Sequence, residues 1–502
     1  MFLITGETFM STMDQLTEIV KEINFILWGP WCLIPILVGT GIFFTFKLRF
    51  VQIRQFARAF KHVFGNFSFS GEKAGQHGMT SFQSLATAIA AQVGTGNLAG
   101  VGTAMVMGGP GAIFWMWLAA FFGMGTIFAE AILAQIYRTR DGQGNITGGP
   151  SYYIYKGLGL KSLSIVFAAL IIIALGFIGN MVQANSITTA FSSAFNVPNW
   201  FSGMLLICLA GFIFIGGIKR IASFAEKIVP FMAGVYVLGA IYIMITNFEH
   251  IIPALEAIFI GAFNPEAATG GVVGAGIKEA IRYGVARGLF SNEAGMGSTP
   301  HAHAVARVNH PAEQGLAAII GLTIDTFIVL NATALVILVT GSLDGTTTGI
   351  VLTQTAFIRG MGDAGAGFVA VCLFFAAFTT IIGWYFFAAQ NFKYLFGYRN
   401  LNLFSVMVLC FLLMGAFLEV NLVWELADLF NGLMVIPNIL AVIGLYKLVI
   451  RAVNDYDYKY LKGQRPLFGP SEVLTNRFAN LQAAVRRSMA KGVIQEKNAR
   501  DD

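Results

Sequence analysis

Two apolar segments of this chain are each interrupted by a Gly-x-Gly pair, and the interruptions lie in corresponding places in its two halves. Gly94 and Gly96 interrupt the first segment, and Gly295 and Gly297 interrupt the second, 201 residues further on. In hydrocarbon every backbone N–H and C=O needs a partner, so a broken helix is stable only where it lines a buried site. A matching pair of broken helices predicts the midplane binding site of a secondary transporter.

Long apolar runs surround both breaks. Of the 502 residues, 56% are hydrophobic and only 12% are charged, a composition typical of polytopic membrane proteins. A spanning helix needs about 20 mostly apolar residues, and eleven segments qualify, so we predict an all-α membrane protein. The predicted spans are 28–46, 80–106, 111–137, 163–192, 200–217, 225–247, 280–305, 315–340, 366–392, 402–419 and 424–450.

Spans two to six and seven to eleven form two sets of five, each beginning with a broken helix. An odd number of spans gives the second set inverted topology, which predicts a five-plus-five inverted repeat. The predicted organisation is an N-terminal surface helix, extra first span and basic segment (1–79), a first repeat (80–248), a connecting segment on the outer side (249–279), a second repeat (280–450) and a basic tail (451–502).

Lysine and arginine residues predict the orientation. With the N-terminus outside, the inner loops carry 16 of them and the outer segments carry three, namely Lys21, Lys278 and Arg359. Cytoplasmic loops carry the excess of positive charge, so we predict an N-out, C-in protein of the cell inner membrane. The net charge of +6 is therefore assigned to these loops and not to a nucleic-acid partner.

The first break offers both kinds of backbone group. Freed N–H groups at the start of a half-helix suit a carboxylate, and freed carbonyls suit a small cation or an ammonium group. Thr95 adds a hydroxyl and Asn97 a carbonyl oxygen. This mixture suits sodium and an amino-acid zwitterion, although Gly-Thr-Gly-Asn alone is equally typical of glycine packing between helices.

Other intramembrane polar groups allow two interpretations each. Glu293, in the second break, is either functional or paired with Arg287, His301 or free N–H groups. The adjacent hydroxyls of Thr379 and Thr380 either bond to the preceding helical turn or face a cation. Gln183 serves either substrate or another helix, Trp384 lies about one turn from the threonines, and the roles of Asp325 and Asn331 stay open.

Three sequence stretches resemble one known family. They are GGPGAIFWMWL at 108–118, QVGTGN at 92–97 and GLFSNEAG at 288–295. These stretches closely resemble the alanine/glycine:cation symporters, also called sodium:alanine symporters, and the resemblance extends over nearly the whole chain. It implies the fold of the bacterial leucine transporter. It also implies uptake of small neutral amino acids, chiefly alanine and glycine, coupled to Na+ or H+.

The resemblance also implies roles for individual residues. Backbone N–H groups of Thr95 and Gly96 would bind the substrate carboxylate, and Phe290 and Trp384 would close a small pocket. The complete set of expected substrate contacts is Gln92, Thr95, Gly96, Gln183, Phe290, Gly295 and Trp384. The expected sodium ligands are the carbonyls of Ala90, Val93 and Ala376 and the hydroxyls of Thr379 and Thr380, with a second cation near Asn97 and Ser291.

Two other classes of protein compete with a symporter. A gated channel would conduct through a continuous pore, whereas paired broken helices favour alternating access. An intramembrane enzyme could use Glu293 and His301 as acid–base groups, but no nucleophile arrangement accompanies them. The chain also has no phosphate-binding loop for ATP-driven transport. We therefore expect a symporter and not an enzyme.

Overall fold

The computed structural model describes residues 6–29, 31–65, 78–264, 276–418 and 420–462. Within these ranges the chain is almost entirely helical. Its strands are Thr139–Arg140 and Ile146–Thr147, which pair antiparallel with Thr139 opposite Thr147. The predicted all-α class is confirmed.

Four helices precede the first broken helix. They are α1 (Gly6–Leu27), α2 (Leu33–Lys47), α3 (Val51–Arg54) and α4 (Phe56–Phe64). Asn24 lies in the last turn of α1, and Trp28 follows directly after the helix. Both side chains are buried. The amide of Asn24 donates to the carbonyl oxygen of Glu425 at 2.8 Å, so the end of α1 is bound to the helix bundle.

The first set of five follows in the predicted order. It comprises α5 (Ser81–Gln92), a π-helical turn (Gly96–Gly100), α6 (Val101–Gly108), α7 (Gly111–Ile136), α8 (Pro150–Tyr153) with a π-turn (Ile154–Leu158), α9 (Lys161–Ile171), a π-segment (Ile172–Gly179), α10 (Asn180–Phe195), α11 (Asn199–Ile215) and α12 (Gly217–Thr246). The segments from α9 to α10 form one long helix.

The connecting segment contains α13 (Ile251–Phe263), which packs on α7. The indole N–H of Trp115 donates to the carbonyl of Ala262 at 3.1 Å. A Cβ atom at Gly111 would lie 2.0 Å from the backbone of Gly261, so this crossing requires glycine. The remainder of this segment, 265–275, lies outside the described residues.

The second set of five repeats the order of the first. It comprises α14 (Ile277–Asn292), α15 (Pro300–Val305), α16 (Pro311–Leu322), a π-segment (Thr323–Leu330), α17 (Asn331–Val339), α18 (Gly349–Met361), α19 (Ala364–Phe396), α20 (Leu401–Gly415) and α21 (Val420–Gly444). In each set a short helix stands between the second and third spans, α8 in the first and α18 in the second.

All eleven predicted spans coincide with helices. Among the described residues, six helices are long and apolar enough to cross a membrane, and three shorter apolar helices accompany them. The two broken helices account for the remaining spans. The last helix of the described residues, α22 (Tyr446–Leu461), packs back on α3 and α4, where Arg54 of α3 and Arg58 of α4 pair with Asp457 at 2.8 and 3.0 Å. The rest of the predicted basic tail, residues 463–502, lies outside the described residues.

Both breaks have a local physical cause. After α5 the backbone of Val93 is extended, with φ −80° and ψ 97°, which ends the helical hydrogen-bond ladder. After α14 the residues Glu293, Gly295 and Gly297 all have positive φ, at 58°, 92° and 80°. Such left-handed backbone cannot continue an α-helix and is costly for any residue except glycine. The strained residue Glu293 is therefore held in place by its surroundings.

Candidate functional site

The first break is closed by its own side chains. The carbonyl oxygen of the Asn97 amide accepts the N–H of Gly94 at 2.9 Å. This bond spans the residues that lack helical hydrogen bonds and satisfies one freed donor. The π-turn that follows begins at Gly96, and such turns recur at functional sites in proteins.

Gln183 of α10 occupies the position expected for a substrate carboxylate. Its amide oxygen accepts both the N–H of Thr95, at 3.1 Å, and the hydroxyl of Thr95, at 2.7 Å. The amide nitrogen of Gln183 is buried without a hydrogen-bond partner. A buried donor without a partner costs free energy, so an acceptor brought within reach of this amide nitrogen would stabilise it.

Backbone oxygens from two elements converge on the hydroxyl of Thr380. This oxygen lies 2.9 Å from the carbonyl oxygen of Ala90, 3.3 Å from that of Val93 and 3.2 Å from that of Ala376. The hydroxyl of Thr379 lies 2.8 Å from the carbonyl of Ala376. A hydroxyl has one proton and can satisfy only one of three carbonyls. The cluster therefore presents surplus oxygens, as a site for a small hard cation requires.

Aromatic rings pack directly against the two breaks. Phe290 and Trp384 meet edge to face, with ring centroids 5.5 Å apart. A Cβ atom at Gly96 would lie 3.2 Å from the Phe290 ring and 3.0 Å from the Cα of Ser291. The two broken helices therefore touch at Gly96, and a side chain there would force them apart.

Glu293 uses none of the partners considered for it from the sequence. Its carboxylate accepts the hydroxyl of Ser298 at 2.6 Å and the indole N–H of Trp384. Arg287 pairs with Asp428 instead, and His301 bonds the carbonyl of Ser298 at 2.7 Å. The carboxylate thus fixes the orientation of an aromatic ring that was expected to wall the pocket.

Asp325 lies where the second cation was expected. Its carboxylate accepts the Asn97 amide at 2.6 Å, the Ser291 hydroxyl at 2.9 Å and the Thr326 hydroxyl at 2.8 Å. The residue is fully buried and lies in the π-segment of the second set. It connects both broken helices through a single negative group, and this connection could not be assigned from the sequence.

A buried ion pair lies next to the aromatic rings of Phe290 and Trp424, closer to the N-terminus of α14 than Phe290 is. Arg287 and Asp428 form a buried salt bridge between α14 and α21. The Arg287 guanidinium stands 4.6 Å from the ring of Trp424, which lies 4.9 Å from the ring of Phe290. The indole N–H of Trp28 donates to the carbonyl of Asp428 at 3.2 Å. Together these side chains form a buried layer beside Phe290.

Two expected substrate contacts are engaged with protein partners. The Gln92 amide donates to the carbonyl of Asn292 at 2.8 Å, which joins the two breaks. The N–H of Gly295 donates at 3.1 Å to Glu130, a residue that the sequence reasoning missed. Its signal was present, because an ionisable residue within the third predicted span marks a functional site by default.

The fold and the site together define a class of protein. Two sets of five helices, each starting with a broken helix, place unwound backbone, surplus oxygens and buried carboxylates at one shared centre. These features are those of a secondary membrane transporter. A family model described as the sodium:alanine symporter family matches residues 13–470, and the chain belongs to that family. The chain is therefore a transporter and not an enzyme, as expected from the sequence.

Relatives match over nearly their whole lengths. The chain is 44% identical over 442 residues to an uncharacterized transporter of Haemophilus influenzae, covering 88% of this chain and 96% of that protein. It is 42% identical over 448 residues to the sodium/alanine symporter AgcS of Methanococcus maripaludis, covering 88% and 97%. It is 40% identical over 435 residues to the amino-acid carrier protein AlsT of Bacillus subtilis, covering 86% and 91%.

A solved structure confirms the fold. The chain resembles MhsT, crystallised in complex with L-phenylalanine, with a TM-score of 0.52 and 14% sequence identity. The match covers 81% of this chain and 95% of MhsT. At this identity the likeness shows the fold alone, and it is the leucine-transporter-like fold that the family resemblance implied.

Proposed function

We propose that this protein is a secondary active symporter that couples inward Na+ flow to the uptake of small neutral amino acids, chiefly alanine and glycine. The observation that carries the proposal is the convergence of three backbone carbonyls on the hydroxyl of Thr380, between the first break and α19. Membership of the sodium:alanine symporter family supports it.

The proposed sodium ion binds between the first break and α19. Its ligands are the carbonyls of Ala90, Val93 and Ala376 and the hydroxyls of Thr379 and Thr380. Sodium would replace the hydroxyl proton as the partner of these carbonyls, so binding needs only a rotation of the two hydroxyls. Because α5 and α19 belong to different repeats, the ion stabilises one relative position of the repeats, as coupling requires.

The proposed substrate binds at the first break. Its carboxylate takes the N–H groups of Thr95 and Gly96, and the amide oxygen of Gln183 leaves Thr95 as the ligand enters. The amide nitrogen of Gln183, buried without a partner, then donates to the same carboxylate. Gln92 and Gly295 complete the proposed contacts from the two sides.

The proposed pocket accepts only a small side chain. Phe290 and Trp384 close it from one side, and the indole of Trp384 is fixed by Glu293. Gly96 is packed against Ser291, so no space opens between the two breaks. Alanine and glycine fit this geometry better than amino acids with longer side chains.

A second cation is proposed near Asn97 and Ser291. Both side chains donate hydrogen bonds to Asp325, whose carboxylate would supply the negative charge. Rotation of the Asn97 amide would turn its oxygen toward the ion. Asp325 could take a proton in place of sodium, so the coupling ion at this position is Na+ or H+.

Alternating access is proposed to proceed around these fixed sites. The excess of Lys and Arg in the predicted inner loops orients the protein N-out and C-in in the cell inner membrane. The layer formed by Arg287, Asp428 and Trp424 then lies on the outer side of the pocket. Opening the pocket outward would require separation of α14 from α21 at that ion pair.

Uptake by purified protein in proteoliposomes tests the proposal. Radiolabelled alanine should accumulate above equilibrium only under an inward sodium gradient, and it should saturate with substrate. Replacing sodium by potassium, with and without a proton gradient, separates the two coupling ions. Equal uptake in all gradients would refute coupling, and flux that never saturates would indicate a channel.

A further inference from the structure

A buried carboxylate outside the proposed ligand sites holds the unwound segment of the second break. Glu130, in the C-terminal half of α7, is fully buried. One of its oxygens accepts the N–H of Gly295 at 3.1 Å, and the other accepts the N–H of Gly297 at 3.0 Å. The amide nitrogen of Asn438, on α21, is a third donor. No cationic side chain of the described residues forms a salt bridge with Glu130.

The shape of the segment explains why an anion is needed. Gly295 and Gly297 have φ of 92° and 80°, and their N–H groups converge on one carboxylate. Backbone N–H groups that converge in this way form a concave site for an anion. Neither N–H takes part in helical hydrogen bonding, so without Glu130 each would be a buried donor with no acceptor. In this protein the chain supplies the anion itself.

The carboxylate is part of a chain of hydrogen bonds between helices. The amide of Asn438 also donates to the carbonyl of Gly295 at 2.9 Å, and its oxygen accepts the hydroxyl of Tyr153. The packing is tight, since a Cβ atom at Gly297 would lie 2.8 Å from both Asn438 and Pro150. The segment is therefore fixed simultaneously from α7, α8 and α21.

We propose that Glu130 is a positioning residue that acts as the internal anion of the second break. By holding Gly295 and Gly297 it fixes the left-handed backbone of Glu293, and Glu293 in turn orients the indole of Trp384. Glu130 itself touches neither substrate nor cation. Its effect on transport rests on the function proposed above, whereas its role as an anion in the segment does not.

Removal of the carboxylate should create an anion site. In Glu130→Ala the N–H groups of Gly295 and Gly297 have no acceptor, the Asn438 amide keeps only the carbonyl of Gly295, and the lost side chain leaves space, so formate or chloride should bind there. The melting temperature of the purified variant should rise with formate concentration. Glu130→Gln is the matched control, because it fills the same volume with a neutral group and leaves no site. Neither Glu130→Gln nor the wild type should respond to formate beyond a general salt effect.

Amide hydrogen exchange tests the same idea in Glu130→Gln, which preserves packing if the alanine variant does not fold. The glutamine oxygen can accept one of the two backbone N–H groups of Gly295 and Gly297. The other N–H then faces the NH2 group of the glutamine, which is also a donor, and loses its acceptor. Loss of a charge-assisted hydrogen bond should speed exchange in peptides covering 293–299 by about tenfold or more. Peptides covering 92–97, in the first break, serve as the internal reference.

These two arms need no transported substrate. They decide on Glu130 even if the wild-type protein takes up neither alanine nor glycine. Formate-dependent stabilisation confined to Glu130→Ala, or faster exchange confined to 293–299 in Glu130→Gln, supports the proposal. Wild-type exchange rates in Glu130→Gln, or equal formate responses of Glu130→Ala and the wild type, would overturn it. In an actively transporting protein, formate should also restore part of the uptake lost in Glu130→Ala.

Discussion

Replacing Thr380 by valine removes one oxygen from the proposed sodium site and preserves the shape of the side chain. The residue is 1% exposed, so a methyl group takes the place of a buried hydroxyl. The carbonyl of Ala90 loses its donor at 2.9 Å, and the proposed ion loses one of five ligands. A polar contact to a charged group is worth about 1.5–3 kcal/mol. The sodium concentration for half-maximal uptake should therefore rise about 10- to 150-fold.

Thr353→Val provides a matched control for this measurement. Thr353 is fully buried, and its hydroxyl donates at 2.6 Å to the carbonyl of Leu98, also in the first broken helix. Both variants remove a buried hydroxyl-to-carbonyl bond, so both should lose similar thermal stability. Sodium titrations of alanine uptake in proteoliposomes should separate them, with only Thr380→Val shifted. Identical sodium dependence in both variants and the wild type would remove Thr380 from the site.

Three further predictions follow from the geometry. Gly96→Ala places a methyl group 3.0 Å from the Cα of Ser291 in the second break, so this variant should lose most of its uptake. In the control Gly100→Ala the nearest atom, in the Trp424 ring, is 3.5 Å from the new methyl group, so uptake should be normal. Equal uptake by the two variants would contradict the close contact at Gly96. Trp384→Phe removes the indole donor to Glu293 and enlarges the proposed pocket, so competition by larger amino acids should increase relative to alanine; an unchanged competition profile would place this ring outside the pocket. Burial lowers the pKa of His310 to about 4, below its usual value near 6.5. Between these two pH values the unfolded chain binds more protons than the folded protein, so the stability of the fold should decrease as the pH drops from about 6.5 towards 4. Melting curves of His310→Gln should show a weaker dependence on pH over this range.

Much of this architecture follows from local sequence. The number and order of the spans could be read from apolar length, because hydrocarbon thickness sets how many residues must be apolar. Both breaks could be located because glycine and polar residues at mid-span do not fit an unbroken lipid-facing helix. The five oxygens of the proposed sodium site were named from the family resemblance, and the structure brings Ala90, Val93, Ala376 and Thr380 together.

The sequence did not allow us to predict which buried polar groups form hydrogen bonds with each other. Gln183 could equally have faced a helix or a ligand, and the structure bonds it to Thr95, 88 residues away. Asp325 had no assigned role until its π-segment placed it beside Asn97, 228 residues earlier. Both contacts depend on the rotation of one helix about its axis relative to another.

Sequence patterns therefore specify which residues are in the membrane and where helices break, since these properties depend on neighbours along the chain. They do not specify which of several buried donors meets which acceptor. Glu130 could have paired with any polar group at its depth, and only close packing of α7 against the unwound segment directs it to Gly295 and Gly297. A rotation of α7 by one residue, about 100°, would point the carboxylate elsewhere. That choice is made by the packing of side chains across the whole bundle, in which each helix limits the rotation of its neighbours.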